Sequence, residues 1–438
     1  IIYSEPIHIM SAFRMLNIPQ ITVLSYFTMF PLTLSTISKH LTEEVIDKVF
    51  KLKTNSEENV QSVEVTRAAP AGEGLISAVY RIKVTGKSHS AKFIAKGLVN
   101  DPLMRKSLDC HTFFKREALF FSTILPILCE IQKASGAKER IQNYLPICYG
   151  CHLDGNDDYI LMEDLSEKEC SSLSEHITIY ERNLTLKSLA HFHAVSLALR
   201  IKKPDTFAKL ANGLNEVYYN DKNRNWYSNY LAEAVKIDRK ALAEFEDPES
   251  VYYHRFNALV NDDIYGQLIR IANSRGDHPV LNHGDAWCPN FLCCKDKAVA
   301  IDFQILRCAS PATDLSYFIL MCSNLCRNKE EFLEAVDIYY KSLEYYLTDM
   351  GIDASKAFSF EMLRGELKKY GRFGLLASIT SFPLLASERC DTLQICEKKY
   401  SGDRIPLVEL WPLTPIKLEE HKLRLVNAVR VAVDVGLI

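Results

Sequence analysis

Between residues 281 and 304 the chain reads Leu281-Asn282-His283-Gly284-Asp285-Ala286-Trp287-Cys288-Pro289-Asn290, then a short apolar run ending Ile301-Asp302-Phe303-Gln304. Asp285 stands five residues before Asn290, and Asp302 follows twelve residues after that. Phosphoryl transfer uses such a set. One carboxylate orients an acceptor hydroxyl and takes its proton, while an amide oxygen and a second carboxylate hold Mg²⁺ between the phosphates. Residues 291–294 and 298–301 are apolar and flank the polar Lys295-Asp296-Lys297. That pattern predicts a β-hairpin presenting Asn290 and Asp302 at one edge. Asp285 is thus the catalytic candidate, and Asn290 and Asp302 the metal ligands.

Protein kinases place their metal ligands on a similar loop, strand, turn and strand. Here Gly284 takes the place of the Arg of His-Arg-Asp, and Gln304 that of the Gly of Asp-Phe-Gly. There is no Ala-Pro-Glu segment. Only seven residues, Ile305 to Pro311, separate Gln304 from the next helix start, which leaves no long activation loop. The pattern points to a small-molecule kinase and away from a protein kinase. A Ser hydrolase is disfavoured because no Gly-x-Ser-x-Gly elbow is present.

A chain of 438 residues is too long for one ordinary core, so two lobes are expected. The net charge of −3 and the lack of a basic stripe argue against a nucleic-acid partner. The 13 cysteines are spread along the chain and read as reduced cytosolic thiols rather than a disulfide framework. Cys148-Tyr149-Gly150-Cys151 is a lone pair without two further zinc ligands. Residues 18–37 are apolar, but Pro19, Pro31 and several hydroxyl residues interrupt them. An N-terminal extension over 1–40 is expected, not a membrane-spanning helix, with a targeting segment as the alternative. The expected compartment is the cytoplasm. One sequon, Asn183-Leu184-Thr185, falls inside a helical pattern and is weak evidence for secretion.

Along the chain, residues 41–52 form an amphipathic pattern with Thr42 as cap. Strands are predicted over 60–66, 78–84 and 90–99. The turn between the first two contains Gly72, Gly74 and Ser77, and its backbone N–H groups suit phosphates. Lys92, Ile94 and Lys96 share one face of the third strand. A Lys is needed there to meet phosphates and a helix Glu; Lys96 is preferred and Lys92 is the alternative. A helix over 113–125 carries Glu117, and Pro126 is expected to kink or end it. Strands over 147–152 and 158–162 flank the turn Asp154-Gly155-Asn156-Asp157. The second runs into Met162-Glu163-Asp164-Leu165, where the sheet gives way to helices. The nucleotide-binding lobe is therefore placed at 41–165 and the catalytic and substrate-binding helical lobe at 166–438. Later helices are expected over 184–202, from Pro311 through 325, and over 329–349, 360–385 and 415–435. His193 lies on an apolar helix face and reads as a satisfied core residue. Asp314 either accepts backbone N–H bonds from the catalytic loop or sits near a helix dipole.

These residues together resemble the ecdysteroid kinase-like family, also described as choline-kinase-like, within the aminoglycoside phosphotransferase and protein kinase-like group. The matching stretches are Leu161-Met162-Glu163-Asp164-Leu165, the run from Ala190 to Ser196 through His193, the run from His283 to Asn290, Ile301 to Gln304, and Ser310 to Leu315. The resemblance covers about residues 40–430. It implies an α+β, two-lobed protein kinase-like fold with a small β-sheet N-lobe and a larger helical C-lobe. It also implies use of ATP and Mg²⁺. The family's catalytic Asp falls on Asp285, its metal ligands on Asn290 and Asp302, and its nucleotide Lys and partner Glu on Lys96 and Glu117. Hinge contacts fall around Glu163 to Leu165, and Gly74 and Ser77 have counterparts in the Gly-rich segment. His283 and Asp314 lie within the matching stretches as support for the site.

The function expected is phosphorylation of a hydroxyl on an ecdysteroid or related hydrophobic alcohol. The alternatives are a choline or ethanolamine kinase and a non-catalytic kinase-fold module that binds a small hydrophobic ligand. No nucleic-acid partner and no stable membrane insertion are expected. Tyr218, Tyr219, Trp226, Tyr227, Tyr230, Tyr252 and Tyr253 either line a pocket for a flat acceptor or pack helices, and packing is the more common use.

Overall fold

The computed structural model describes residues 31–68, 76–99, 101–173, 176–322, 324–386 and 402–438. Residues 1–30, most of the apolar N-terminal stretch, and Gly72 and Gly74 of the expected phosphate turn lie outside them.

Five antiparallel strands form the smaller lobe: β1 (Ser62–Arg67), β2 (Ser77–Thr85), β3 (Ser90–Leu98), β4 (Cys148–His152) and β5 (Tyr159–Glu163), in the order β1-β2-β3-β5-β4. Their side chains alternate between two cores, as the two-residue period of a strand requires. Tyr159 and Leu161 of β5 face a small core with Ile46, Val49 and Phe50 of the helix Glu43–Thr54. Ile160 and Met162 face the large core that continues into the helical lobe. The helix Glu43–Thr54 starts where the sequence predicts, with the Thr42 side chain accepting a bond from the Val45 N–H.

On the other face of the sheet runs the helix Cys110–Leu119. It does not end at Pro126. A π-helical turn, Phe120–Ile124, is inserted, and the helix resumes as Leu125–Ala134. Proline lacks an N–H and crowds the carbonyl four residues back. The wider turn, in which the Leu125 N–H bonds to the Phe120 carbonyl, accommodates it.

The larger lobe is built on the buried helix Ile179–Lys202, opened by a capping box between Thr178 and Glu181. It packs against Lys329–Asp349. The helix Pro311–Met321 is buried along its whole length and stops four residues short of the expected Leu325. The predicted helix over 360–385 is two, Phe360–Tyr370 and Arg372–Ala386, broken at Gly371. Among the described residues, no helix is long and apolar enough to cross a membrane.

The expectation of reduced cysteines needs correction. Cys170 and Cys294 form a disulfide across 124 residues of sequence. The short strand β6 (Ser171–Ser172) pairs antiparallel with β8 (Phe291–Cys293), Ser171 opposite Cys293, which sets the flanking Cys170 opposite Cys294. Spacing along the chain carries no trace of such a pairing. Closing so long a loop stabilises a fold by about 2–4 kcal/mol. Reductant is expected to lower the unfolding free energy of the wild-type protein, read from urea titration, by that amount and to leave that of Cys170→Ser unchanged. Equal sensitivity of both would mean that the bond does not form.

Candidate active site

Strand β7 (Val280–Asn282) pairs antiparallel with β10 (Arg307–Ala309), so the loop after Asn282 lies beside Leu306 and Ile305. Gly284 has φ +92°, and a Cβ there would stand 2.0 Å from the Ile305 carbonyl oxygen. No side chain fits, which explains why Gly and not Arg stands between His283 and Asp285. Asp314, in the first turn of the helix Pro311–Met321, pins the loop. It accepts bonds from the N–H of His283 at 2.6 Å and of Gly284 at 3.1 Å. His193 Nε2 reaches the same carboxylate at 3.3 Å, and its Nδ1 meets the Tyr339 hydroxyl at 2.7 Å. Burial would raise Asp314, but the hydrogen bond from His193 and the charge of Arg307 hold it below the ordinary carboxylate range. The His283 Nε2–H donates to the Ile301 carbonyl at 2.8 Å, and its Nδ1 accepts from the Asp285 N–H at 3.3 Å. Burial keeps this imidazole below its usual range, so it is neutral.

Strands β8 and β9 (Ala298–Ala300) form the hairpin that the apolar runs predict. The Ile301 N–H closes it on the Asn290 carbonyl at 3.0 Å, which brings Asn290 and Asp302 to one edge. Asn290 Nδ2 donates to the Asp285 carbonyl at 2.9 Å and to its carboxylate at 2.8 Å. The amide oxygen of Asn290 is thereby turned away from Asp285. That oxygen and the Asp302 carboxylate are hard donors of the kind Mg²⁺ takes, so the residues present fit that ion. Asp302 adopts a left-handed φ of +68°, uncommon outside glycine. The Asp285 carboxyl is pushed up to about 7, first by burial and then by the charge of Asp302.

Lys96 crosses from the sheet to the helical lobe. Its Nζ lies 2.9 Å from both oxygens of Glu117 and 2.8 Å from Asp302 Oδ1. Burial alone would lower this ammonium, yet Asp302 and Glu117 raise it above the usual lysine value. Lys92 takes no part; its backbone N–H and carbonyl meet Glu167 and Lys53 at the other end of β3. Phe303, next to Asp302, stacks on Phe120 of the π-turn at 3.7 Å, so the element carrying Glu117 and the metal loop lock together. At the end of β5, Glu163 pairs with Lys168 and Asp164 with Arg81, while Leu165 opens a 3₁₀ turn. Ser77, at the start of β2, lines the same cavity as Asp285.

That cavity has a volume of about 490 Å³. Its wall includes Tyr218, Tyr219, Tyr227 and Tyr230, with Tyr317 and Trp411. Four of the aromatics singled out in the sequence therefore converge. Trp226 instead donates to the Ile405 carbonyl, and Tyr252 meets Asp434. Hydroxyl pairs fix part of the wall: Tyr218 to Tyr227, Tyr227 to Thr380 and Tyr317 to Ser381. The Tyr230 hydroxyl and the Trp287 indole N–H are buried with no hydrogen-bond partner among the described residues. Two buried cations escaped the sequence reading. Arg307 approaches Glu216 at 3.5 Å and lowers Asp285 against burial. Arg116 ties the Glu117 helix to the carbonyls of Leu306 and Asn215. Both sit in ordinary-looking stretches, and nothing local marks them.

The model of the ecdysteroid kinase-like family matches residues 71–352. No curated protein sequence matches the chain. Among solved structures the chain is similar to an ethanolamine kinase of Plasmodium vivax, at 13% identity and TM-score 0.42, covering 89% of this chain and 87% of that one. It is also similar to a choline kinase of Cryptosporidium parvum, at 12% identity and TM-score 0.39, covering 81% and 92%. An aminoglycoside phosphotransferase of Streptomyces rimosus aligns at 13% identity and TM-score 0.33, covering 70% and 97%.

Gly284→Ala is expected to displace the loop from Ile305 and reduce any turnover by about 100-fold or more, because misplacement of about 1 Å suffices for that. An unchanged rate in steady-state assays would contradict the close contact. A second expectation concerns pH. The Asp285 carboxyl titrates at about 7 in the folded chain, against about 3.9 unfolded. Between those values the folded state holds more protons, so stability falls as pH rises through that window. Asp285→Asn should stabilise the chelator-treated protein at about pH 8, by on the order of a few kcal/mol, and change little near pH 4. Urea unfolding at both pH values reads the difference; the same effect at each would refute a raised Asp285.

Proposed function

The chain belongs to the ecdysteroid kinase-like family, phosphotransferases with an alcohol group as acceptor, and we propose that it moves the γ-phosphate of ATP to a hydroxyl of an ecdysteroid or a similar neutral, largely apolar polyol. The observation that carries this reading is the aromatic cavity of about 490 Å³ opening on Asp285. Its size lies within the range of about 300–1,000 Å³ that holds drug-sized ligands. The only acids lining it among the described residues are Asp285 and Asp302, both assigned here to the chemistry. A choline or ethanolamine acceptor is therefore the weaker reading. Tyrosines can cage an ammonium group, but a cage of this depth wants a carboxylate beside the cation.

Asp285 accepts the proton of the acceptor hydroxyl and aims it at the phosphate; positioning supplies most of the rate. Its raised proton affinity suits that task near neutral pH. Asn290 holds the carboxylate in place through Nδ2 and, with Asp302, offers oxygens to Mg²⁺. When bound, that ion neutralises charge between the β- and γ-phosphates. Lys96 draws charge from the α- and β-phosphates while Glu117 holds it in line. Glu163 to Leu165 line the entry for the base, and Ser77 closes over the phosphates. Tyr230 and Trp287 contribute to the aromatic wall that faces the acceptor.

The experiment is mass spectrometry of the purified chain with ATP, Mg²⁺ and a panel of ecdysteroids, plant phenolic glycosides, choline and ethanolamine. A phosphorylated neutral polyol made by the wild type and absent with Asp285→Ala supports the proposal. Phosphocholine or phosphoethanolamine as the main product would replace it. Asp302→Ala should abolish turnover and weaken nucleotide binding in the presence of Mg²⁺. Tyr230→Ala, which removes a residue of the cavity wall, should raise the acceptor KM by about tenfold or more and leave the ATP KM alone. A changed ATP KM would place Tyr230 elsewhere in the mechanism.

A further inference from the structure

Away from this cleft, at the far end of the sheet, two imidazoles converge on one carboxylate oxygen. His40 Nε2 lies 3.0 Å and His152 Nε2 3.5 Å from Asp154 Oδ2. The rings stack on each other with centroids 3.8 Å apart. All three donor atoms fall within 4.8 Å of one another. We propose that His40, His152 and Asp154 bind a zinc-class divalent ion that fastens the N-terminal segment to the β4–β5 turn.

Three observations support a built site. First, the backbone holds every ligand before any ion arrives. The His40 N–H bonds Ser38 Oγ, and that hydroxyl bonds the Asp157 carbonyl at 2.6 Å. His152 ends β4, paired with Tyr159. Asp154 Oδ1 accepts the N–H groups of Asn156 and Asp157 at 2.8 and 2.7 Å, which leaves Oδ2 facing the rings. Second, His152 Nε2 is buried with no hydrogen-bond partner among the described residues, and Asp154 Oδ2 stands 3.5 Å away. Third, the spacing fits. Metal bonds of about 2.0–2.1 Å at tetrahedral angles separate ligands by about 3.3 Å, and the two measured separations bracket that value. Two imidazoles and one carboxylate select zinc, or cobalt as its probe, over Mg²⁺, which prefers oxygen alone. The side chains are about a third exposed, so a fourth position faces water. The residues span two distant segments, so an ion there would anchor the helix Glu43–Thr54, whose Ile46, Val49 and Phe50 pack into the small core.

The full chain, stripped with chelator and titrated with zinc alone, tests this. One zinc per chain at equimolar concentration and a higher melting temperature are expected, with visible cobalt bands of a tetrahedral site on substitution. His152→Gln and Asp154→Asn should each weaken zinc binding by more than about tenfold and abolish the rise in melting temperature, while folding like the metal-free wild type. Asp302→Asn, in the phosphoryl-transfer site, should bind zinc unchanged. Uptake well below one ion per chain, uptake retained in both variants, or uptake lost with Asp302→Asn would overturn the proposal. None of these readouts depends on turnover.

Discussion

The two lobes are registered by one buried charge cluster. Lys96 comes from the sheet, Glu117 from the helix beneath it and Asp302 from the helical lobe, and three contacts of 2.8 to 2.9 Å join them. Only about a tenth of the Lys96 side chain is exposed. Removing one partner from such a group strands a buried charge, which costs about 3–5 kcal/mol, whereas the intact group contributes little net stability. Its effect is therefore geometric. It fixes how far the sheet stands from the hairpin that carries Asn290 and Asp302. The stack of Phe303 on Phe120 repeats the constraint with apolar contact one residue further on.

The same cluster governs the electrostatics of the cleft. The charges of Asp302 and Asp314 both raise the proton affinity of Asp285. Asp314 is neutralised by backbone N–H groups and His193, so it stays ionised. Asp302 is neutralised by Lys96. Asp285 has only the Asn290 amide and Arg307 to offset its burial, so its proton affinity is raised.

Much of this was legible in the sequence where function depends on local spacing. The loop, hairpin and helix start between His283 and Asp314 are contiguous, and each member is a residue type whose chemistry restricts it. Lys96 could be separated from Lys92 only by three-dimensional contact, since both share a strand face. The disulfide, Arg116, Arg307 and the π-turn before Pro126 were not legible. Each depends on partners about ninety or more residues away or on how a helix absorbs a proline, and neither leaves a period in the chain. The tyrosines fall between. Their clustering leaves a pocket and helix packing both open, with packing the more common use, and the convergence of Tyr218, Tyr219, Tyr227 and Tyr230 with Tyr317 and Trp411 is a property of the folded chain.

That convergence separates the cavity wall from the loop that carries Asp285. The loop is held by Asp314, His283 and the Ile305 contact, none of which involves the tyrosine wall. The wall is held by its own hydroxyl pairs among Tyr218, Tyr227 and Thr380 and between Tyr317 and Ser381. Replacing a wall residue can therefore reshape the cavity while Asp285 and Asn290 keep their 2.8 Å contact. The loop that carries Asp285 and the wall that shapes the cavity are thus held by separate sets of contacts.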